Sequence, residues 1–417
     1  MKLSMLLLFL SVSIWVMSMA SNRVEASNPS IPIRVIAKTH VIDFPKSVTL
    51  KLEAVSDSPV RSIKIFYTVG KEEAVSIYGY PDFIPSKTVN AEFVIKTSGA
   101  NHIPQGVVIN YNYLIEDSEG RFKETKSSQL EYLDPIFTWD RFAVGDLAIL
   151  YHDRPSKLVE KTLLDVHKQI ERVKNILMIE NIKPQKAIVV NSMEESSRNF
   201  PYISERARRD HLFSGFAYGN YDLFLLFGLN GSGMVHEFTH LLLDEALESP
   251  AAKLPAWLNE GLAMYFESDF SKGNTNIHNA LKADGLLPLN SMGTIPGKPT
   301  DVHLFYSQSL SLVKFLINEY GENHMSSMIK SIGEGSDVQG AFQQAYGLSL
   351  GEFEAEWLSQ TREQHGLDGR NIVRSIKSPT GLGWYSVAVL TSMVVVVVVV
   401  VVVGVTVVFK KSTMNRH

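Results

Sequence analysis

Apolar and polar positions alternate with period two through much of residues 31–135. Val48, Leu50, Leu52 and Ala54 fall on one side of a predicted strand, Ile63 and Ile65 on one side of another, and residues 93–96 alternate likewise. Val107, Ile109, Tyr111, Tyr113 and Ile115 form a longer face of the same period. It ends at Asp117, Ser118, Glu119 and Gly120, a turn composition, and residues 121–126 read as the returning strand. No helical period appears in this stretch.

Short strands over about 100 residues predict an all-β, immunoglobulin-like sandwich over 27–137. It carries no catalytic pattern and reads as a spacer, with a ligand-binding module as the alternative. From about residue 140 the pattern becomes mixed. Residues 142–151 read as one strand, and 186–191 and 221–228 as two more. Val159, Leu163, Val166, Ile170, Val173 and Leu177 repeat at helical spacing and predict an amphipathic helix over 156–178. Further helices are predicted at 232–247, 255–268 and 301–320, then a short one between Gly333 and Gly351 and a last one over 352–364. The fold class is therefore α+β, a mixed-sheet-and-helix domain over 138–365 preceded by the sandwich.

The two ends depart from both patterns. One lysine precedes an apolar stretch over residues 3–20, a secretory signal pattern, and Val24-Glu25-Ala26 offers a cut that makes 1–26 the signal peptide. Residues 384–409 are 26 positions without a charge, ten of them consecutive valines at 394–403. As a helix they reach about 39 Å, enough to cross a bilayer core of about 30 Å. Lys410 and Lys411 follow, with Arg416 in the tail. These cations predict a cytoplasmic tail at 410–417 and an extracellular catalytic domain, tethered through 366–383 to a single pass of the cell membrane.

Composition narrows the chemistry. Lys+Arg 40 against Asp+Glu 44 leaves a net charge of −4, which argues against a nucleic-acid partner. The absence of cysteine excludes disulfides, thiolate metal sites and cysteine nucleophiles, so a bound metal has only His, Asp and Glu to hold it.

His236-Glu237-Phe238-Thr239-His240 lies on the predicted 232–247 helix. Residues i and i+4 share a helix face about 6 Å apart along the axis, so both imidazoles can face one ion. Zinc needs a third protein ligand and an open position. Asp244 shares the face but lies about 12 Å from His236 along the axis, too far to join. Glu260, in Trp257-Leu258-Asn259-Glu260-Gly261, sits on a helix begun at Pro255, and a short loop from the first helix lets it turn back.

These residues resemble the gluzincin zinc peptidases. His236, Glu237 and His240 followed by Glu260 within Trp-Leu-Asn-Glu-Gly are similar to the two zinc motifs of that clan. The later Tyr306, Phe315-Leu316, Tyr320-Gly321, Tyr346-Gly347 and Glu356-Trp357 are similar to the smaller peptidase MA-like enzymes. The resemblance covers roughly residues 140–365. It implies a zincin-like fold, one Zn2+ held by His236, His240 and Glu260, and a peptide or protein substrate. It also implies Glu237-assisted attack of zinc-bound water, with Tyr306 as donor to the oxyanion. Read from the sequence alone, Tyr306 equally begins a core stripe with Leu310, Val313, Ile317 and Tyr320.

One departure shapes the expected specificity. The aminopeptidases of the clan carry a Gly-x-Met-Glu-Asn segment whose glutamate holds a free amine. The corresponding Gly215 to Asn220 region has no acid, which favours cleavage within a chain over aminopeptidase action. The strand over 221–228, if at a sheet edge, can pair with an extended substrate. Asn230-Gly231-Ser232 is a sequon in form, and Arg206, Arg208 and Arg209 read as a solvated face. A rival of another class is a surface adhesion protein with a catalytically idle zincin scaffold.

Overall fold

The computed structural model describes residues 33–71, 74–199, 215–247, 249, 252–267 and 274–367. The predicted signal peptide, membrane helix and tail, nearly all of the tether, and the Arg206–Arg209 cluster lie outside these. Among the described residues no helix is long and apolar enough to cross a membrane.

Alternation dictates the first part of the chain. Strands β1 (Arg34–Asp43), β2 (Ser47–Val55) and β5 (Thr88–Lys96) form one antiparallel sheet in the order β1-β2-β5. β3 (Val60–Val69), β4 (Ile77–Gly79), β6 (Val108–Asp117) and β7 (Phe122–Glu124) form a second in the order β4-β3-β6-β7, with β8 (Ser128–Glu131) also paired to β6. The inward positions Leu50, Leu52, Ile63, Ile65, Ile109 and Tyr113 are at most 1% exposed. Removing such a side chain from water contributes about 1.5–3 kcal/mol each.

A third, mixed sheet has the order β12-β13-β11-β10-β9 and comprises β9 (Asp140–Val144), β10 (Leu147–Tyr151), β11 (Gln185–Val190), β12 (Gly215–Tyr218) and β13 (Leu223–Phe227). β10, β11 and β13 are parallel, while β9 and β12 run antiparallel at the two edges. The single strand expected over 142–151 is thus a hairpin. Gly145 and Asp146 turn the chain so that Val144 pairs with Leu147. The strand expected at 221–228 begins at Leu223 and is interior, because β12 covers its free side. Among the described residues the sheet ends on this side at β12, not at the strand expected there.

Contacts divide the described chain into two compact units. The first holds both sheets of the sandwich, the mixed sheet, α1 (Ser156–Leu177), α2 (Met193–Asn199), α3 (Gly231–Ala246), Phe266 and Glu267. Within it the sandwich and the mixed sheet share one apolar core, since Leu150, Ile188, Leu223 and Leu225 join the sandwich cluster. Lys186 reinforces the joint, its Nζ donating to Gly106 O at 2.8 Å and to Glu131 Oε1 at 2.5 Å. A buried polar group lies just past the carboxyl ends of β10 and β11. His152 stacks on Phe137 with centroids 3.9 Å apart, and its Nε2 lies 3.0 Å from Glu195 Oε2.

The second unit is helical. It takes α4 (Ala256–Phe266) as far as Tyr265, then α5 (Asn274–Lys282), α6 (Pro299–Tyr320), α7 (Glu322–Gly333), α8 (Val338–Tyr346) and α9 (Leu350–Gln364). The helices α2, α5 and α7 are additional to those expected, being short or lacking a long apolar repeat. Phe353 is the hub of the core, meeting Trp257, Phe315 and Phe342 at ring distances of 6.1, 5.8 and 5.1 Å. Trp357 Nε1 donates to Ser311 Oγ at 3.0 Å, tying α9 to α6.

Candidate metal centre

α3 carries the two histidines. Asn230 begins it, its Oδ1 accepting from the Ser232 backbone N at 3.2 Å, so the sequon asparagine serves as a helix cap. Met234, Val235, Phe238, Leu241 and Leu242 bury the opposite side of the helix. The helical repeat then brings the rings of His236 and His240 together, with centroids 4.8 Å apart and planes at 83°.

α4 carries the glutamate. Its first free N–H groups are taken by the loop before α6, Ala256 N and Trp257 N donating to Gly293 O and Met292 O, each at 3.1 Å. Gly261 lets α4 approach α6 closely, since a Cβ there would lie 2.5 Å from Ser309 O. That accounts for the glycine directly after Glu260.

His236, His240 and Glu260 each offer a ligand atom, and these atoms all lie within 4.8 Å of one another. The donor set fits zinc: two imidazoles and one carboxylate, with no thiolate to bias the site toward softer ions. Asp244, set aside on spacing, is outside the group and lies against Gly219 in the turn after β12. Its carboxyl is pushed up by burial, an effect that Lys71 partly offsets.

A residue with no counterpart in the sequence reading completes the histidine's surroundings. Glu267 Oε1 lies 2.5 Å from His236 Nδ1. With the proton on Nδ1, that carboxylate fixes the ring and leaves the Nε2 lone pair for a metal. Nothing in the 31-residue separation signals this pairing.

Glu237 is 7% exposed and faces the edge strand. A Cβ on Gly215 would lie 2.5 Å from its Oε1, so the backbone of β12 runs directly beside the carboxylate. Tyr218, at the end of the same strand, has its phenol pushed well above the ordinary range by burial and by the charge of Glu237. The Tyr218 hydroxyl lies 3.4 Å from Nε2 of His102, a sandwich residue. The sandwich therefore reaches the strand beside Glu237, which its period-two pattern gave no means to foresee.

Tyr306 sits on α6 directly after the fully buried Phe305 and is itself half-buried. Leu310, Val313 and Ile317 of the same stripe are buried, so Tyr306 is the more accessible start of a core face. His303 is exposed and Tyr265 half-buried.

Residues 224–362 match the family model described as the Peptidase MA superfamily. The matched stretch holds His236, Glu237, His240, Glu260 and Tyr306, so the helices that carry the candidate centre are those of a metallopeptidase-like region. No curated protein matches the chain. Among solved structures, BhCBM56 is similar over 25% of this chain and 95% of its own, at 11% identity and a TM-score of 0.18. Wild-type OgpA from Akkermansia muciniphila is similar over 25% of this chain and 30% of its own, at 9% identity and a TM-score of 0.20. An aminopeptidase N family protein from Idiomarina loihiensis is similar over 84% of this chain and 74% of its own, at 10% identity and a TM-score of 0.25. The chain thus spans less than a third of OgpA.

Proposed function

We propose that this protein is a zinc-dependent metallopeptidase of the gluzincin type, held at the cell surface by the apolar segment 384–409 with its catalytic part outside the cell. The observation that carries the reading is the gathering of His236, His240 and Glu260 within 4.8 Å, with Glu267 bonded to the far nitrogen of His236. The anchoring and orientation rest on the uncharged run and on Lys410 and Lys411 after it.

His236, His240 and Glu260 would hold one zinc ion. When bound, it supplies Lewis acidity that polarises a carbonyl and acidifies water. Glu237 is the proton carrier of the reaction. Its carboxylate accepts the proton of the attacking water and delivers it to the leaving nitrogen. The Tyr306 hydroxyl donates to the oxyanion. An extended substrate pairs with the outer edge of β12, which runs its backbone past Glu237. The lack of an acid between Gly215 and Asn220 favours cleavage inside a chain over removal of an N-terminal residue.

The test is Glu237→Gln, assayed on a peptide library alongside metal analysis of the same protein. We expect hydrolysis to vanish while the zinc content stays near one ion per chain. Turnover retained in that variant would sink the proposed role of Glu237, and a zinc-free wild-type protein would favour an idle scaffold.

A further inference from the structure

The outer face of the β4-β3-β6 sheet is as ordered as its inner one but differs in chemistry. Strand register places Tyr78, Phe66 and Asn112 in one cross-strand row. Thr68, Asn110 and Gln129 form the next. Beside these rows lies a shallow cavity of about 290 Å3, lined in part by Phe66, Thr68, Ser76, Asn110, Asn112 and Ser127. Among the described residues no charged side chain lines it. Tyr78 is 58% exposed and Tyr80, set edge-on to it at 6.1 Å, is 64% exposed. Lys64 steadies the aromatic end, its Nζ lying 3.9 Å from the Tyr78 centroid and 5.0 Å from that of Phe66.

We propose that this tray is a saccharide-binding site that takes a neutral glycan. Aromatic faces carry negative charge on their π-clouds and attract the C–H groups on the flat side of a sugar ring. Hydroxyls both donate and accept, as do the side-chain amides and hydroxyls facing them. Asn112 Nδ2 donates to Glu124 Oε1 at 2.8 Å, and Gln129 Nε2 donates to Asn110 Oδ1 at 3.3 Å. An amide has two donors and two acceptor lone pairs, so one such bond leaves capacity for a ligand. Lys64, the cation at the aromatic end, is engaged with the Tyr78 and Phe66 rings, and the described residues lining the cavity are uncharged, so a neutral ligand fits better than an anion. A peptide adding as a strand would need a sheet edge, which β4 offers over only three residues, while the backbone groups of β3 and β6 are committed to each other over nine paired positions. The volume is near the lower end of the roughly 300–1,000 Å3 usual for small-molecule clefts, which suits one or two sugar rings at a time.

The test uses the purified full chain, kept in a detergent without a sugar headgroup. Calorimetric titration and affinity electrophoresis are run with cellohexaose, laminarihexaose, maltohexaose, mannohexaose and xylohexaose, with polygalacturonate as the charged counterpart. At least one neutral oligosaccharide is expected to bind. Tyr78→Ala and Phe66→Ala should each weaken it by about tenfold, with melting temperatures held. Should Phe66→Ala melt early, Tyr78→Ala and Asn112→Ala decide the matter. Binding of none of the five, of polygalacturonate alone, or equally by wild type and variants would overturn the proposal. Capture of extended peptides on this face in place of glycans would overturn it as well.

Discussion

Gly215 leaves no room for a side chain against Glu237: a Cβ at that position would lie 2.5 Å from the Glu237 Oε1 and 2.8 Å from its Cδ. The two residues sit on different elements, β12 and α3, so the carboxylate is positioned by the approach of a strand backbone and not by its helix alone.

Gly215→Ala is therefore expected to push the carboxylate aside without unfolding the protein. A misplacement of about 1 Å can cost on the order of 100-fold in rate, so kcat should fall roughly 10- to 100-fold with zinc content unchanged. Steady-state kinetics with metal analysis checks this. An unaltered kcat would mean that the placement of Glu237 against β12 is immaterial.

Glu267→Gln should weaken zinc binding. Outer carboxylates on ligating histidines are typically worth about 10- to 100-fold in metal affinity. Glutamine still accepts a hydrogen bond from His236 Nδ1 but lacks the charge, so Glu267→Ala should be the weaker binder of the two. Competition against a fluorescent chelator reads both, and equal affinity in all three proteins would remove Glu267 from the centre.

Gly261→Ala should destabilise the helical unit. The added methyl would meet Ser309 O at 2.5 Å and Val313 Cγ2 at 2.6 Å, and the first of these is backbone that cannot swing away. Overpacking of this kind costs about 1–3 kcal/mol, read as a lower melting temperature. A variant as stable as wild type would show that α4 and α6 can separate freely.

Asp117 sets an acid limit on the stability of the sandwich. Burial pushes its carboxyl up, but the Arg121 guanidinium and hydrogen bonds from Arg121 N, Ser56 Oγ and Glu119 N outweigh this and hold it below the ordinary 3.8. A carboxyl with a lowered folded pKa contributes stability that is complete above its unfolded value and is lost as pH falls through the folded one. Wild type should thus lose melting temperature below about pH 4, while Asp117→Asn starts lower and shows a flatter acid limb. Parallel acid limbs in the two proteins would contradict the assignment.

Several features were legible because they depend on neighbours a few positions away. Leu50, Leu52, Ile63 and Tyr113 are buried as their period required, and α1 and α3 match the helices expected at 156–178 and 232–247 to within one residue. The β9–β10 hairpin was readable in principle, since Gly145-Asp146 interrupts an otherwise apolar run. β12 spans four residues, too few to display a period. Glu267 carried no signal, being an acidic residue just past a helix end, where most are solvated.

The sequence by itself determined that His236 and His240 share a helix face, because 3.6 residues per turn brings i and i+4 together wherever that helix forms. It also determined the strand-rich character of the first 100 or so residues, because alternation is a property of each strand alone. Tertiary structure decided that β12 and not β13 is the edge, that Glu267 holds His236, and that His102 meets Tyr218. Each of those depends on which distant segments become neighbours. Pairing and packing choose those partners across gaps of 31 and 116 residues, over which no local period extends.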